Sequence, residues 1–284
     1  MSEQRVAVVT GASAGIGKET ARQLLQQGWR VIGVGRNPER SADAEADLSS
    51  SGNFTMLQAD LSLMADVARL AREIAGMTDR LDALVNNAGG VTADFRLTGE
   101  GNEQTFAANH LAPFLLAQKL MPLLQATVPL AGAGNVRVIG VSSTGHEQCP
   151  GINWDDVNHA EGYLSGTAYC QAKLANILFT KELARRTGDT GIVAHVMHPG
   201  VVDSNFTSHC EPGMKAYMEA IMDRASTPDV PAKTVTFLAS AAQPGQSNGL
   251  YWHDMETIEP TDAAQDEAEA RRLWELSERL VADY

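Results

Sequence analysis

Cysteine is scarce in this chain of 284 residues: Cys149, Cys170 and Cys210 are the only three. They are too few and too scattered for a disulfide framework or a Cys-rich zinc site, so a reducing cytosol is the expected setting. Positive charge is also short, with 22 Lys and Arg against 35 Asp and Glu and a formal charge of -13. A surface that acidic repels nucleic acid and anionic lipid, and any anionic ligand must be held by a local exception to the field. No uninterrupted apolar stretch approaches the roughly 18 residues that a membrane span needs, and Met1–Gln4 lacks signal-peptide architecture. The expectation is a cytoplasmic protein with no membrane and no nucleic-acid partner. Low-complexity linkers and internal repeats are missing too, which leaves one domain over residues 1–284 as the expected organisation.

What is present is alternation. Short β-branched runs at Val6–Val9, Trp29–Val34, Phe54–Leu57, Leu81–Val85, Val136–Val141 and Ile192–Val196 are nearly free of charge, the pattern of strands buried on both faces of a parallel sheet. Helix-period segments lie between them at Ile16–Gln27, Asn37–Asp47, Met64–Met77, Glu103–Gln125 and Tyr169–Thr187. Strand then helix, six times over, predicts an α/β fold: a doubly wound, mostly parallel sheet in three layers, the Rossmann arrangement. Residues 204–228, rich in Met and small polar groups, read as a lid over the C-terminal edge of the sheet. An acidic amphipathic helix is expected at 263–280, with Leu273, Trp274, Leu276 and Leu280 near one face.

Thr10–Gly17 follows the first strand directly and opens the first helix. Glycines at 11, 15 and 17 permit a sharp turn and a close approach of backbone to phosphate, and Ser13, Ile16 and the helix N-terminus complete a pyrophosphate site. After the second strand comes Gly35-Arg36, where dinucleotide sites often carry a carboxylate for the ribose 2′-hydroxyl. Gly35 offers none, and Arg36 offers a fork suited to a 2′-phosphate, which favours NADP(H) over NAD(H). Asp60-Leu61 closes the third strand, where the carboxylate serves either the adenine or a helix cap.

These motifs, with Asn86-Asn87-Ala88-Gly89, Asn109, Ser142-Ser143, Tyr169-x-x-x-Lys173 and Pro199-Gly200 in order, make the chain resemble the short-chain dehydrogenase/reductase family over nearly its whole length. Gly11–Ala21, the run from Asn109 to Leu116 and the run from Tyr169 to Asn176 look most like its retinol-dehydrogenase-like branch. Tyr169 and Lys173 stand four apart on one helical face. A phenol with an ordinary pKa of about 10 is a poor acid–base group near neutrality, and lowering it by about 3 units takes roughly 4 kcal/mol from nearby cations.

The resemblance implies catalytic roles for Ser143, Tyr169, Lys173 and Asn109, with Asn109 bending its helix and holding a water. It also implies cofactor contacts from Asn87, Ala88, Gly89, Pro199, Gly200 and Val202. Spacing alone does not choose between Ser142 and Ser143, and Ser204 stands where the family usually has Thr. Residues 146–166 form an insertion expected at the substrate entrance.

The expected activity is hydride transfer between NADP(H) and a ketone, aldehyde or secondary alcohol, on a bulky apolar substrate of steroid, retinoid or aromatic polyketide type. Met214, Met218, Ile221 and Met222 would give the lid an adaptable surface. A non-catalytic NADP(H)-binding sensor and a nucleotide-sugar epimerase or dehydratase are the competing readings. The intact Ser143, Tyr169 and Lys173 set weighs against the sensor. No metal is expected, since the seven His residues lack zinc-site spacing. Relatives differ in assembly, so a homodimer or homotetramer stays open.

Overall fold

The computed structural model describes residues 4–203 and 212–284. Ser204 and the first part of the expected lid lie outside the described residues, as do the side chains of Met214 and Met218.

Eight strands form one sheet in the order β3-β2-β1-β4-β5-β6-β7-β8. They are β1 (Val6–Thr10), β2 (Arg30–Gly35), β3 (Phe54–Gln58), β4 (Ala83–Asn86), β5 (Val136–Val141), β6 (Ile192–Met197), β7 (Tyr251–His253) and β8 (Glu256–Ile258). All neighbours pair in parallel except β7 and β8. The order reverses at β1, whose neighbours β2 and β4 diverge, so a crevice opens beyond the carboxyl ends of β1 and β4.

The central strands β1, β2, β4, β5 and β6 are buried on both faces because a separate apolar core lies on each. One holds α1 (Gly15–Gln26) and α8 (Asp229–Ser240) around Leu24, Trp29, Val235 and Trp252. The other holds α3 (Met64–Met77), α5 (Ala112–Ala131), α6 (Ser165–Arg186) and α9 (Glu267–Leu280). Three layers result, as the alternation predicts. On the outside of α6, Trp274 of α9 stacks on Phe179 and meets Phe114 edge-on, while Asp266 caps the α9 N-terminus.

Three local differences from the sequence expectations have clear causes. The helix Asp229–Ser240 goes unpredicted because its Pro231 and four β-branched residues blur a helical period; it forms because α1 covers it. Helix α6 begins four residues ahead of Tyr169, at Ser165. The rod Gln104–Ala131 is long and apolar enough to cross a bilayer, with mean hydropathy 1.2 over its most apolar 18 residues, which revises the expectation that no such stretch exists. Lys119 and the uncharged Gln and Thr residues interrupt the apolar run without bringing its mean hydropathy below that value. Of that window 56% is buried inside the protein.

Candidate active site

At the end of β1 the chain turns through Gly11 and Gly15, both with positive φ, into α1. The helix N-terminus has no side-chain cap and no acidic residue in its first turn. Its amide groups and dipole are therefore open to an anion. A Cβ on Gly15 would meet nothing within 4 Å, whereas one on Gly17 would press into the Gly11 carbonyl oxygen. Gly15 faces open space and Gly17 allows helix and turn to pack closely. The residues present fit a dinucleotide pyrophosphate.

Thr10 and Asn87 lock the neighbouring strand ends together. Thr10 Oγ1 accepts the N–H groups of Asn87 (3.0 Å) and Ala88 (2.9 Å), and Asn87 Nδ2 donates to Thr10 O at 2.8 Å. Asn86 is buried with both side-chain polar atoms unpartnered, so it does not brace adjacent strands by hydrogen bonding. At the tip of β2, Arg36 is exposed and, among the described residues, forms no ion pair. Arg40, also exposed, stands one turn on, with its N–H capped by Asn37 Oδ1 at 2.9 Å. The i, i+4 spacing from Arg36 across Asn37-Pro38 was the signal for this second cation. Asp60 Oδ1 accepts from the backbone and hydroxyl of Ser62 (2.9 and 2.7 Å). Its observed work is thus a turn cap, beside a half-buried Leu61.

Asn109 lies in a π-turn, Ala107–Leu111, inserted between α4 (Gln104–Phe106) and α5. The expected bend therefore takes the form of one widened turn. Asn109 Nδ2 donates to Gly90 O (2.9 Å) and Thr105 O (2.7 Å), and its Oδ1 accepts the Gly90 N–H at 3.1 Å. Its side chain is thus spent on holding the loop after β4. The point a Gly89 Cβ would occupy lies 2.5 Å from Asn109 Oδ1 and 3.1 Å from Lys173 Nζ, so all three residues converge.

Lys173 is buried, with Nζ donating to Val141 O at 3.1 Å and lying 5.4 Å from the Tyr169 ring centre. Burial pushes its pKa down to about 8, which leaves the ammonium charged near neutrality. Tyr169 itself is half-buried. Geometry separates the two serines. Ser142 is buried with Oγ donating to Lys173 O at 2.7 Å, while Ser143 is half-exposed. Ser143 Oγ accepts the Gly145 N–H at 3.0 Å, which leaves its own hydrogen to donate. One point beside Gly145 lies 3.4 Å from both Ser143 Oγ and Tyr169 Cε1.

The loop after β6 closes the far side. Gly200 has φ +71, and Val202 bridges to Ser226, which fastens the start of the lid region to the chain before α8. The insertion is pinned on two sides: Trp154 Nε1 donates to Glu269 Oε2 (2.7 Å), and Tyr163 Oη donates to Thr92 O (3.0 Å). Phe95 and Tyr163 pair their rings at 5.6 Å, and Leu164 is exposed. Cys170, beside Tyr169, has its thiol pushed up to about 11 by burial, the character of a packed side chain. Among the described residues no group of three His, Cys, Asp or Glu side chains is arranged to hold a metal.

A family model described as short chain dehydrogenase matches residues 5–215. The chain belongs to the short-chain dehydrogenase family. It is 33% identical to human retinol dehydrogenase 14 over 298 residues, covering 98% of this chain and 86% of that protein. Among solved structures it is similar to an uncharacterized protein from Mycobacterium paratuberculosis, with TM-score 0.74, 31% identity, and 98% and 94% of the two chains covered. A Pseudomonas aeruginosa RhlG/NADP active-site complex matches with TM-score 0.69 and 32% identity, over 87% of this chain and 93% of that one. The chain is an oxidoreductase of the retinol-dehydrogenase-like branch, acting on CH–OH or C=O groups with a nicotinamide cofactor.

Proposed function

We propose that the enzyme is an NADP(H)-preferring carbonyl reductase whose reacting groups are Ser143, Tyr169 and Lys173, with Asn109 in support. The observation that carries this reading is a buried ammonium, without a carboxylate partner among the described residues, held 5.4 Å from the centre of a half-buried phenol.

The bound nicotinamide ring supplies the hydride. Ser143, its Oγ already accepting from Gly145, donates its hydroxyl hydrogen to the substrate oxygen and stabilises the negative charge that develops there. Tyr169 gives that oxygen its proton. The Lys173 ammonium stabilises the phenolate left behind and shortens the energetic gap to proton transfer at neutral pH. Two of the ammonium's hydrogens remain after Val141 O takes one, and these suit the nicotinamide ribose hydroxyls. Asn109 holds the Gly90 loop from its π-turn, beside the Lys173 ammonium. Gly11–Gly17 and the α1 N-terminus would hold the pyrophosphate, with Ala88 and Gly89 along the dinucleotide and Pro199–Val202 beside the nicotinamide.

Arg36 supports the preference for NADP(H): it is an exposed guanidinium at the tip of β2, without an ion pair among the described residues, in a chain of strong negative charge. Arg40 adds a second cation. A bulky apolar carbonyl compound as substrate is supported by the paired rings of Phe95 and Tyr163 and by the exposed Leu164 at the start of α6, the helix that carries Tyr169 and Lys173. The retinol dehydrogenase relatives point the same way. Coverage of α6 by α9 supports a subunit that does not pair through that helix.

The test is NADPH and NADH oxidation, in parallel, over all-trans-retinal, steroid ketones and aromatic quinones. Tyr169→Phe should bind NADPH as wild type does and reduce the best of these about 10³-fold more slowly. Near-wild-type reduction by that variant overturns the assignment. A tightly held cofactor with no net oxidation would favour epimerase chemistry.

A further inference from the structure

Two fully buried histidines take no part in the chemistry above, and each sits beside a residue that does. His146 contacts Ser143 twice, through its N–H to Ser143 O (3.2 Å) and through Nδ1 to the same oxygen (2.8 Å). Its other ring nitrogen, Nε2, accepts the backbone N–H of Thr261 at 3.5 Å. A carbonyl can only accept and an amide can only donate. These contacts put a hydrogen on Nδ1 and turn the Nε2 lone pair toward Thr261.

His110 directly follows Asn109 in the π-turn, and its Nε2 lies 2.8 Å from Ser277 Oγ. Ser277 spends its own hydrogen on Leu273 O (2.7 Å), so it accepts from His110, and hydrogen is fixed on Nε2. Nδ1 then has no partner. The ring lies among Phe106, Phe114 and Phe179, and burial pushes its pKa down to about 3.

A third tie has the same form. His198 Nδ1 accepts the Gly200 N–H at 3.2 Å, and His253 of β7 stacks on the His198 ring at 4.1 Å while donating from Nδ1 to His198 O. All three partners, Thr261, Ser277 and His253, lie beyond residue 250.

We propose that residues 251–284 act as a positioning frame for the reacting groups, with His146 and His110 as the positioning residues that fix Ser143 and the Asn109 turn against it. Neither histidine touches substrate or cofactor; each acts through its neighbour. This inference rests on the catalytic reading given above. The physical need is plain, because Ser143 lies in a loop beyond the last hydrogen bond of β5. Without the His146 ring, what restrains it is local: the His146 N–H on Ser143 O, the Gly145 N–H on its Oγ, and the bonds of Ser142 to Met197 O and Lys173 O one residue back. A serine displaced by about 1 Å from its donor position costs about 10²-fold in rate.

The experiment removes each bridge from both ends. His146→Leu deletes it, His146→Asn keeps a donor toward Ser143 O, and Thr261→Pro deletes only the distal N–H. Thr261 has φ -60 and ψ 158, a conformation proline adopts without strain, so this variant tests the bridge even if His146→Leu fails to fold. Ser277→Ala does the same for His110. Single-turnover reduction of the best carbonyl from the panel above, at saturating NADPH, should fall by about 10²-fold in His146→Leu and about tenfold in Thr261→Pro and Ser277→Ala. KM and NADPH affinity should stay within twofold, with partial recovery in His146→Asn.

Amide exchange at Gly145 and Gly90 should accelerate in Thr261→Pro and Ser277→Ala respectively while β1 and β2 stay protected, a readout that needs no substrate. Unchanged single-turnover rates in the folded variants, or unchanged exchange at those amides, overturns the frame. Tyr169→Phe run beside them separates the two readings. An inactive Tyr169→Phe with fully active bridge variants sinks the frame alone, and an active Tyr169→Phe sinks the catalytic assignment beneath it.

Discussion

The two ends of the sheet treat buried charge in opposite ways. At the amino ends of the strands, Asp82 is fully buried and satisfied: Arg80 grips both of its oxygens (2.8 and 2.7 Å) and Val6 N–H donates at 2.8 Å. Nearby, the buried Arg137 guanidinium donates to the carbonyls of Gly134 and Leu238. At the carboxyl ends, Lys173 is buried with one carbonyl contact, His110 and His198 are driven toward neutrality by burial, and the α1 N-terminus is uncapped. One end spends its charged groups on one another, and the other leaves the Lys173 ammonium and the α1 N-terminus for a ligand. Stability and reactivity are thus segregated along the same eight strands.

Four measurements sharpen or break that contrast. Asp82→Ala removes the buried carboxylate that Arg80 and the Val6 N–H share and should cost about 3–5 kcal/mol, read as a melting temperature lower by roughly 10 °C. Turnover per folded molecule should be unchanged; a matching loss of turnover would erase the distinction between the ends. Lys173→Met should do the reverse, abolishing reduction while raising stability. Because its folded pKa of about 8 lies below the unfolded value of 10.5, wild-type stability rises with pH through that window. The variant should be about 3 kcal/mol more stable at pH 7 and lack that rise, as urea melts at several pH values will show.

His110 gives the acid counterpart. Its folded pKa of about 3 lies below the unfolded value of 6.5, so stability falls as pH drops below 6.5, by about 2 kcal/mol on reaching pH 5. His110→Gln keeps a donor for Ser277 and does not titrate; its acid melt should be flatter by that amount. The smallest effect belongs to Arg36→Leu, which should shift the ratio of kcat/KM for NADPH over NADH by about tenfold while leaving NADH kinetics nearly untouched. Equal loss with both cofactors would take the 2′-phosphate role away from Arg36.

Much of the fold was legible because the six strands, nearly all of whose residues are apolar, stand out as short runs between helical periods. Helix α8 was not legible, since its period is visible only against α1. The site divides in the same way. Tyr169 and Lys173 declare themselves by helical spacing, and the glycine turn by its place between strand and helix. Ser142 and Ser143 are indistinguishable by spacing; their roles part only when Ser142 is seen to donate to the α6 backbone. Asp60 is a turn cap for the same reason, a partner two residues on that its alternatives in sequence did not exclude. His110 and His146 read as ordinary packing until their partners, 167 and 115 residues away, are in view.

By itself the sequence determined the α/β alternation, the anion-ready turn and the four-residue pairing of phenol and amine. Each of these follows from local periodicity or from the backbone freedom of a few residues. Only the tertiary structure decided which serine faces the crevice, that Lys173 is stripped of water, and that the last 34 residues reach back to the reacting groups. Desolvation and long-range hydrogen bonding depend on what surrounds a side chain in three dimensions, and no spacing along the chain encodes that.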